Sequence, residues 1–167
     1  MQIPTSAIKE LREKTGAGVM DCKKALLDAE GNMEKATEIL HKRGLAMAIK
    51  KADRTANEGI VEAYVHPGGR IGVLVEVNCE TDFVARTQEF KELAHNLALQ
   101  IAAMSPQALS SEDMSEQSGE DPETACLLFQ PFIKDPNKTV QDIITETIAK
   151  VGENIRVRRF IRFELGC

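Results

Sequence analysis

Apolar side chains recur every three or four positions from residue 5 to 44 and every second position from Gly59, so the chain first changes period early on. The first part predicts three short helices. One starts at Thr5 as cap, runs through Ile8 and Leu11, and stops at the turn Gly16-Ala17-Gly18. A second carries Val19, Cys22, Ala25, Leu26 and Ala29 on one face and ends at Gly31. A third is capped by Asn32, places Met33, Ala36 and Leu40 on one stripe, and ends at Gly44. So small a core is marginal alone, which implies that this bundle leans on something else.

From Gly59 the period is two. Ile60 to His66 alternates, Pro67-Gly68-Gly69-Arg70 is a turn signal, and Ile71, Val73, Val75 and Val77 form one face of a second strand. The hairpin delivers the chain to Asn78-Cys79-Glu80-Thr81-Asp82-Phe83-Val84-Ala85-Arg86, where a strand turns into a helix predicted to reach Met104. Thr81 is a capping residue type, and Asp82 suits the positive end of a helix dipole. Phe83 and Val84 have two readings: both fold under the corner into the core, or Phe83 stands out as a wedge for a partner's pocket.

Beyond Pro106 the stretch Ser110 to Glu123 is Ser-rich and acidic, and reads as a mobile surface insert. Leu127 to Ile133 is apolar but interrupted by Pro131, a packed loop or edge segment. Thr139 caps a helix with Ile143, Ile144, Ile148 and Val151 inward and Gly152 at its end. The last strand, Ile155 to Leu165, is expected to put Ile155, Val157, Ile161, Phe163 and Leu165 on one face and Arg156, Arg158, Phe160, Arg162 and Glu164 on the other.

These elements predict an α+β fold: an N-terminal three-helix bundle with linker over residues 1–55, then an α+β core over 56–167, a small antiparallel sheet with helices packed on one face, interrupted by the insert at about 106–124. Sheet edges left free invite pairing with a second subunit.

Charge sharpens the division. Residues 1–55 hold eleven Lys and Arg against eight Asp and Glu, while 56–167 hold ten against eighteen. The bundle's cations suggest nucleic acid, but the whole chain is acidic, and no helix gathers the Arg, Asn and Gln that read base edges. No apolar run approaches the ~18 residues of a membrane helix and the start lacks signal-peptide features, so a cytoplasmic protein is expected. Cys22, Cys79, Cys126 and Cys167 have no metal or redox spacing. His41, His66 and His95 lie on different elements without a nucleophile motif. His66 and Cys79 bracket the hairpin and form one candidate pair, and Glu80 with Asp82 another, as acid or metal ligands. The Gly16-Ala17-Gly18 turn lacks the pattern of a phosphate loop. Neither an enzyme nor a cofactor is expected, which leaves binding of another protein.

The run Leu11-Arg12-Glu13-Lys14-Thr15-Gly16-Ala17-Gly18-Val19-Met20-Asp21-Cys22-Lys23-Lys24-Ala25-Leu26 closely resembles the N-terminal signature of the translation elongation factor Ts family, and Glu76 to Ala85 resembles its second signature. Gln130-Pro131-Phe132, Lys138-Thr139-Val140 and Phe160 to Glu164 resemble its C-terminal pieces. The resemblance implies a guanine nucleotide exchange factor for elongation factor Tu. It implies an N-terminal domain similar to ubiquitin-associated domains that grips the partner's GTPase through Arg12, Gly18, Val19, Met20 and Lys23. It further implies that Thr81, Asp82, Phe83 and Val84 intrude beside the partner's nucleotide and displace its magnesium. This sequence departs from longer members by carrying one core module instead of two, and short members of the family form homodimers.

Overall fold

A computed structural model of the chain describes residues 3–114 and 119–167; residues 115–118, inside the predicted insert, lie outside them. Helices α1 (Thr5–Thr15), α2 (Val19–Asp28) and α3 (Met33–Lys51) enclose a core of Leu11, Cys22, Ala25, Leu26, Ala29 and Ala36. Leu11 and Leu26 are fully buried, worth about 1.5–3 kcal/mol each.

Local signals and outcome differ at both ends of this bundle. Thr5 is not the cap of α1; Pro4 holds that position and makes no side-chain capping bond. Asn32 does cap α3, its Oδ1 accepting from Lys35 N–H at 2.9 Å. Gly44, expected to end α3, lies buried inside it, and the helix runs on to Lys51. The reason is packing of its second half on α7 (Val140–Val151), where a Cβ at Gly44 would stand 3.6 Å from Ala149 Cβ, an ordinary contact distance. The first half of α3 closes the bundle, while Ala48 in its second half packs against the main core.

That main core lies under a three-stranded sheet of order β1 (Glu58–Val65), β2 (Ile71–Cys79), β5 (Arg156–Glu164), antiparallel throughout. Helix α5 (Gln88–Met104) lies against β1 and β2 with Phe90, Leu93, Ala94, Leu97 and Ile101 buried, and α7 packs on α5 and α3. The predicted single helix from Thr81 to Met104 is two pieces, α4 (Asp82–Ala85) and α5, with Thr87 capping the second. After α5 come a 3₁₀ turn at Ser111–Asp113, α6 (Pro122–Ala125), and, where a packed loop or edge segment is expected, a two-stranded ribbon of β3 (Pro131–Phe132) with β4 (Asp135–Thr139). Thr139 and Asp142 form a reciprocal capping box on α7, which ends at Gly152 with φ 75°.

The closing strand corrects a second expectation. Glu76 pairs with Arg159 but Val77 with Val157, so Arg158 is the extra residue of a bulge. Past it the alternation inverts: Phe160 and Arg162 pair with Val75 and Val73 on the covered side. Ile161 and Phe163, expected on the same face as Val157, are 48% and 67% exposed.

Candidate partner-binding surface

At the end of β2 the chain turns outward. Thr81 is extended (φ −129°, ψ 154°) and its Oγ1 accepts from Val84 N–H at 3.4 Å, opening α4. Asp82 in the first turn pairs with Arg86 at 2.8 Å. Val84 and Ala85 point into the core, and Phe83, between Asp82 and Val84, is 78% exposed, the highest value of any large apolar side chain described. Four residues of helix cannot hold a direction by themselves. The corner is instead held by Glu153, after α7: its Oε2 accepts from Glu80 N–H at 3.1 Å and Thr81 N–H at 3.0 Å, and its Oε1 accepts from Thr81 Oγ1 at 2.6 Å. Cys79 Sγ donates to Thr81 O at 3.1 Å from beneath. Burial pushes the Cys79 thiol up to about 11, and the Glu153 charge adds to the effect.

The other predicted residues gather at the α1–α2 turn. Gly16 adopts φ 67°, and Thr15 Oγ1 donates to Leu11 O at 2.7 Å while accepting from Ala17 N–H at 3.3 Å. This turn sets Gly18 as the extended cap of α2, so that Cys22 points into the bundle while Val19 (49%) and Met20 (61%) face out. Lys23 and Arg12 are also exposed. Burial raises the Cys22 thiol; the Thr15 hydrogen bond and the nearby Arg12 charge partly oppose this, and the Asp21 charge adds to it. Thus Thr81 to Val84 occupy one surface corner and Arg12 with Gly18 to Lys23 another. Val84 is the exception within its group, being 9% exposed and part of the core.

The alternative chemistries find little support. His66 and Cys79 lie at opposite ends of the hairpin, since Val65 pairs with Gly72 and Glu58 with Cys79. His66 shares a 3.0 Å hydrogen bond with Tyr64, and His95 one of 3.1 Å with Glu62. Glu80 and Asp82 are each already engaged, Glu80 by Asn154 N–H at 2.7 Å and Asp82 by Arg86. Among the described residues no group of His, Cys, Asp and Glu is arranged to hold a metal ion, and no helix is long and apolar enough to cross a membrane.

The family described as Elongation factor TS matches residues 2–124, which span both the glycine turn and the Phe83 corner. The chain belongs to the elongation factor Ts family. It is 52% identical to elongation factor Ts of Carboxydothermus hydrogenoformans, over 98% of this chain and 89% of that one. The figures are 52%, 98% and 95% for elongation factor Ts of Thermoanaerobacter pseudethanolicus, and 51%, 98% and 96% for that of Moorella thermoacetica.

Two features of this elongation factor Ts fold are barely marked in the sequence. Glu153 reads there only as a polar residue after a helix-ending glycine, because its partners are 72 and 73 positions away. The exposed apolar face of the sheet, Val61, Val65, Leu74, Ile161 and Phe163, is hidden by the same alternation that suggested a buried face. A carboxylate placed directly behind a helix-ending glycine is the only local hint of the first.

Proposed function

We propose that this chain is a guanine nucleotide exchange factor for elongation factor Tu, acting in the cytoplasm. Residues 1–55 form the gripping domain and 56–167 the core domain that works on the nucleotide site. The Thr81-Asp82-Phe83-Val84 corner intrudes beside bound GDP with Phe83 as the inserted group, and the partner's magnesium is displaced. The observation that carries this reading is the Phe83 ring, 78% exposed on a corner whose next two residues are buried. A solvent-facing phenyl group at a braced bend has no use inside its own molecule.

The magnitudes require two contacts. Burying one Phe is worth about 2–3 kcal/mol, or roughly 30- to 150-fold in an equilibrium. Phe83 alone therefore cannot loosen a tightly held nucleotide. The grip comes from Val19, Met20 and Lys23 on α2, with Arg12 beside them. Removing a divalent cation takes away the largest local charge neutralising the phosphates, which supplies the remainder. Coupling is reciprocal, so fresh nucleotide on the partner expels this factor to the same extent that the factor expels GDP.

The homodimer implied by the family's short members is proposed to form through the outer face of the sheet. Val61, Val65, Leu74, Ile161 and Phe163 make an exposed apolar surface that a second copy covers with its own. Beside it Glu76 pairs with Arg159 at 2.8 Å and Arg158 at 3.6 Å, giving the patch a charged border.

The direct test is release of a fluorescent GDP analogue from elongation factor Tu in stopped flow. Acceleration that rises with the concentration of this protein and saturates is expected; release at the intrinsic rate refutes the proposal.

A further inference from the structure

Building on the exchange reading above, we propose that Glu153 is a positioning residue: its carboxylate sets the direction of the Phe83 corner, and its neighbour Asn154 ties that corner to the end of α3. The N–H groups of Glu80 and Thr81 follow the last paired residue of β2 and precede the first turn of α4, so neither element supplies them with an acceptor. One carboxylate takes both, and a third hydrogen bond from the Thr81 hydroxyl as well. With its proton committed to Glu153, that hydroxyl turns a lone pair toward Val84 N–H and so fixes where α4 starts.

The exchange of bonds is mutual. Glu80 Oε1 accepts from Asn154 N–H at 2.7 Å. Asn154, 3% exposed, donates from Nδ2 to Ala52 O at 3.3 Å and Arg54 O at 2.8 Å, just beyond α3. Lys51 Nζ donates to Gly152 O, and Arg54 lies 3.6 Å from Glu80 Oε2. Residues 51–54, 80–81 and 152–154 therefore interlock, and the helix that carries the bundle is tied to the loop that aims the wedge. Phe83 is delivered at a set place relative to the gripping surface, which is the condition for two modest contacts to act together.

The test has two arms on the full chain. In stopped-flow release of GDP from elongation factor Tu, Glu153→Ala is expected to lower the maximal rate at least fivefold while the half-saturating concentration moves less than twofold. Glu153→Gln should recover most of that rate, since an amide oxygen still accepts the two N–H groups and its NH₂ can donate to the Thr81 hydroxyl. In a Phe83→Ala background, Glu153→Ala should cost nothing more. In hydrogen exchange on the factor alone, Glu80 and Thr81 amides should exchange at least tenfold faster in Glu153→Ala with Val75 unchanged. A maximal rate within twofold of wild type, a Gln variant as slow as Ala, or losses that multiply with Phe83→Ala overturn the positioning role. Protection lost throughout β2 does so too, because Glu153 would then be merely structural. If the wild-type protein accelerates nothing, the exchange reading fails by itself, and the hydrogen-exchange arm still decides whether Glu153 holds the corner.

Discussion

Phe83 and Val84 are neighbours on the chain with opposite surroundings: the first is 78% exposed and the second 9%. A short helix turn that begins at a braced Thr81 can bury one and present the other. Phe83→Ala should therefore leave thermal stability unchanged within about 0.5 kcal/mol, as for a surface site, while slowing factor-stimulated GDP release at least tenfold. Val84→Ala should instead lower stability by about 1–2 kcal/mol through lost burial. Denaturant melts and stopped-flow release on both variants check the pair; a destabilised Phe83→Ala returns the ring to a packing role.

Lys23 stands on the solvent side of α2, one position beyond the buried Cys22. Lys23→Ala is expected to weaken the complex with elongation factor Tu by roughly three- to tenfold, the loss of a single charged contact, and to leave the release rate at saturation unaltered. Titration calorimetry that finds the wild-type affinity removes Lys23 from the interface.

On the outer face of the sheet, Leu74 pairs with Ile161 and Gly72 with Phe163, so the apolar side chains of β2 and β5 form a continuous patch. A charge in its middle should prevent two copies from meeting without entering either core. Leu74→Glu is expected to sediment as a monomer at concentrations where the wild-type chain is a dimer, with an unchanged far-ultraviolet circular dichroism spectrum. A wild-type chain that is itself monomeric at such concentrations refutes the proposed contact.

The thiol of Cys79 titrates near 11 in the fold against an ordinary value of 9, raised first by burial and then by the Glu153 charge. A raised folded value means that the native state holds its proton where the unfolded chain has released it. This contribution to stability is therefore complete below pH 9 and is lost as pH rises toward 11. Denaturation midpoints should fall across that window, and Cys79→Ala should flatten the fall. At pH 8 a thiol reagent should modify exposed Cys167 rapidly and Cys22, Cys79 and Cys126 only on unfolding.

Much of this molecule is legible in short stretches of sequence, because caps, turns and periodicity act over three or four residues. Asn32 and Thr139 are caps, Gly16 and Gly152 are left-handed turns, and the hairpin reverses after His66, all as the local pattern requires. The glycine turn and the Thr81 to Phe83 motif likewise announce the family before any coordinate is known. What the sequence could not decide depends on what another segment places alongside. Gly44 ends no helix because α7 approaches it, and β5 changes face because of the bulge opposite Glu76 and Val77. Whether an apolar residue at the corner is core or wedge is a matter of which side of a turn faces the sheet. That direction is set by Glu153, whose bonds to Glu80 and Thr81 form only once segments 73 and 72 positions apart have folded together.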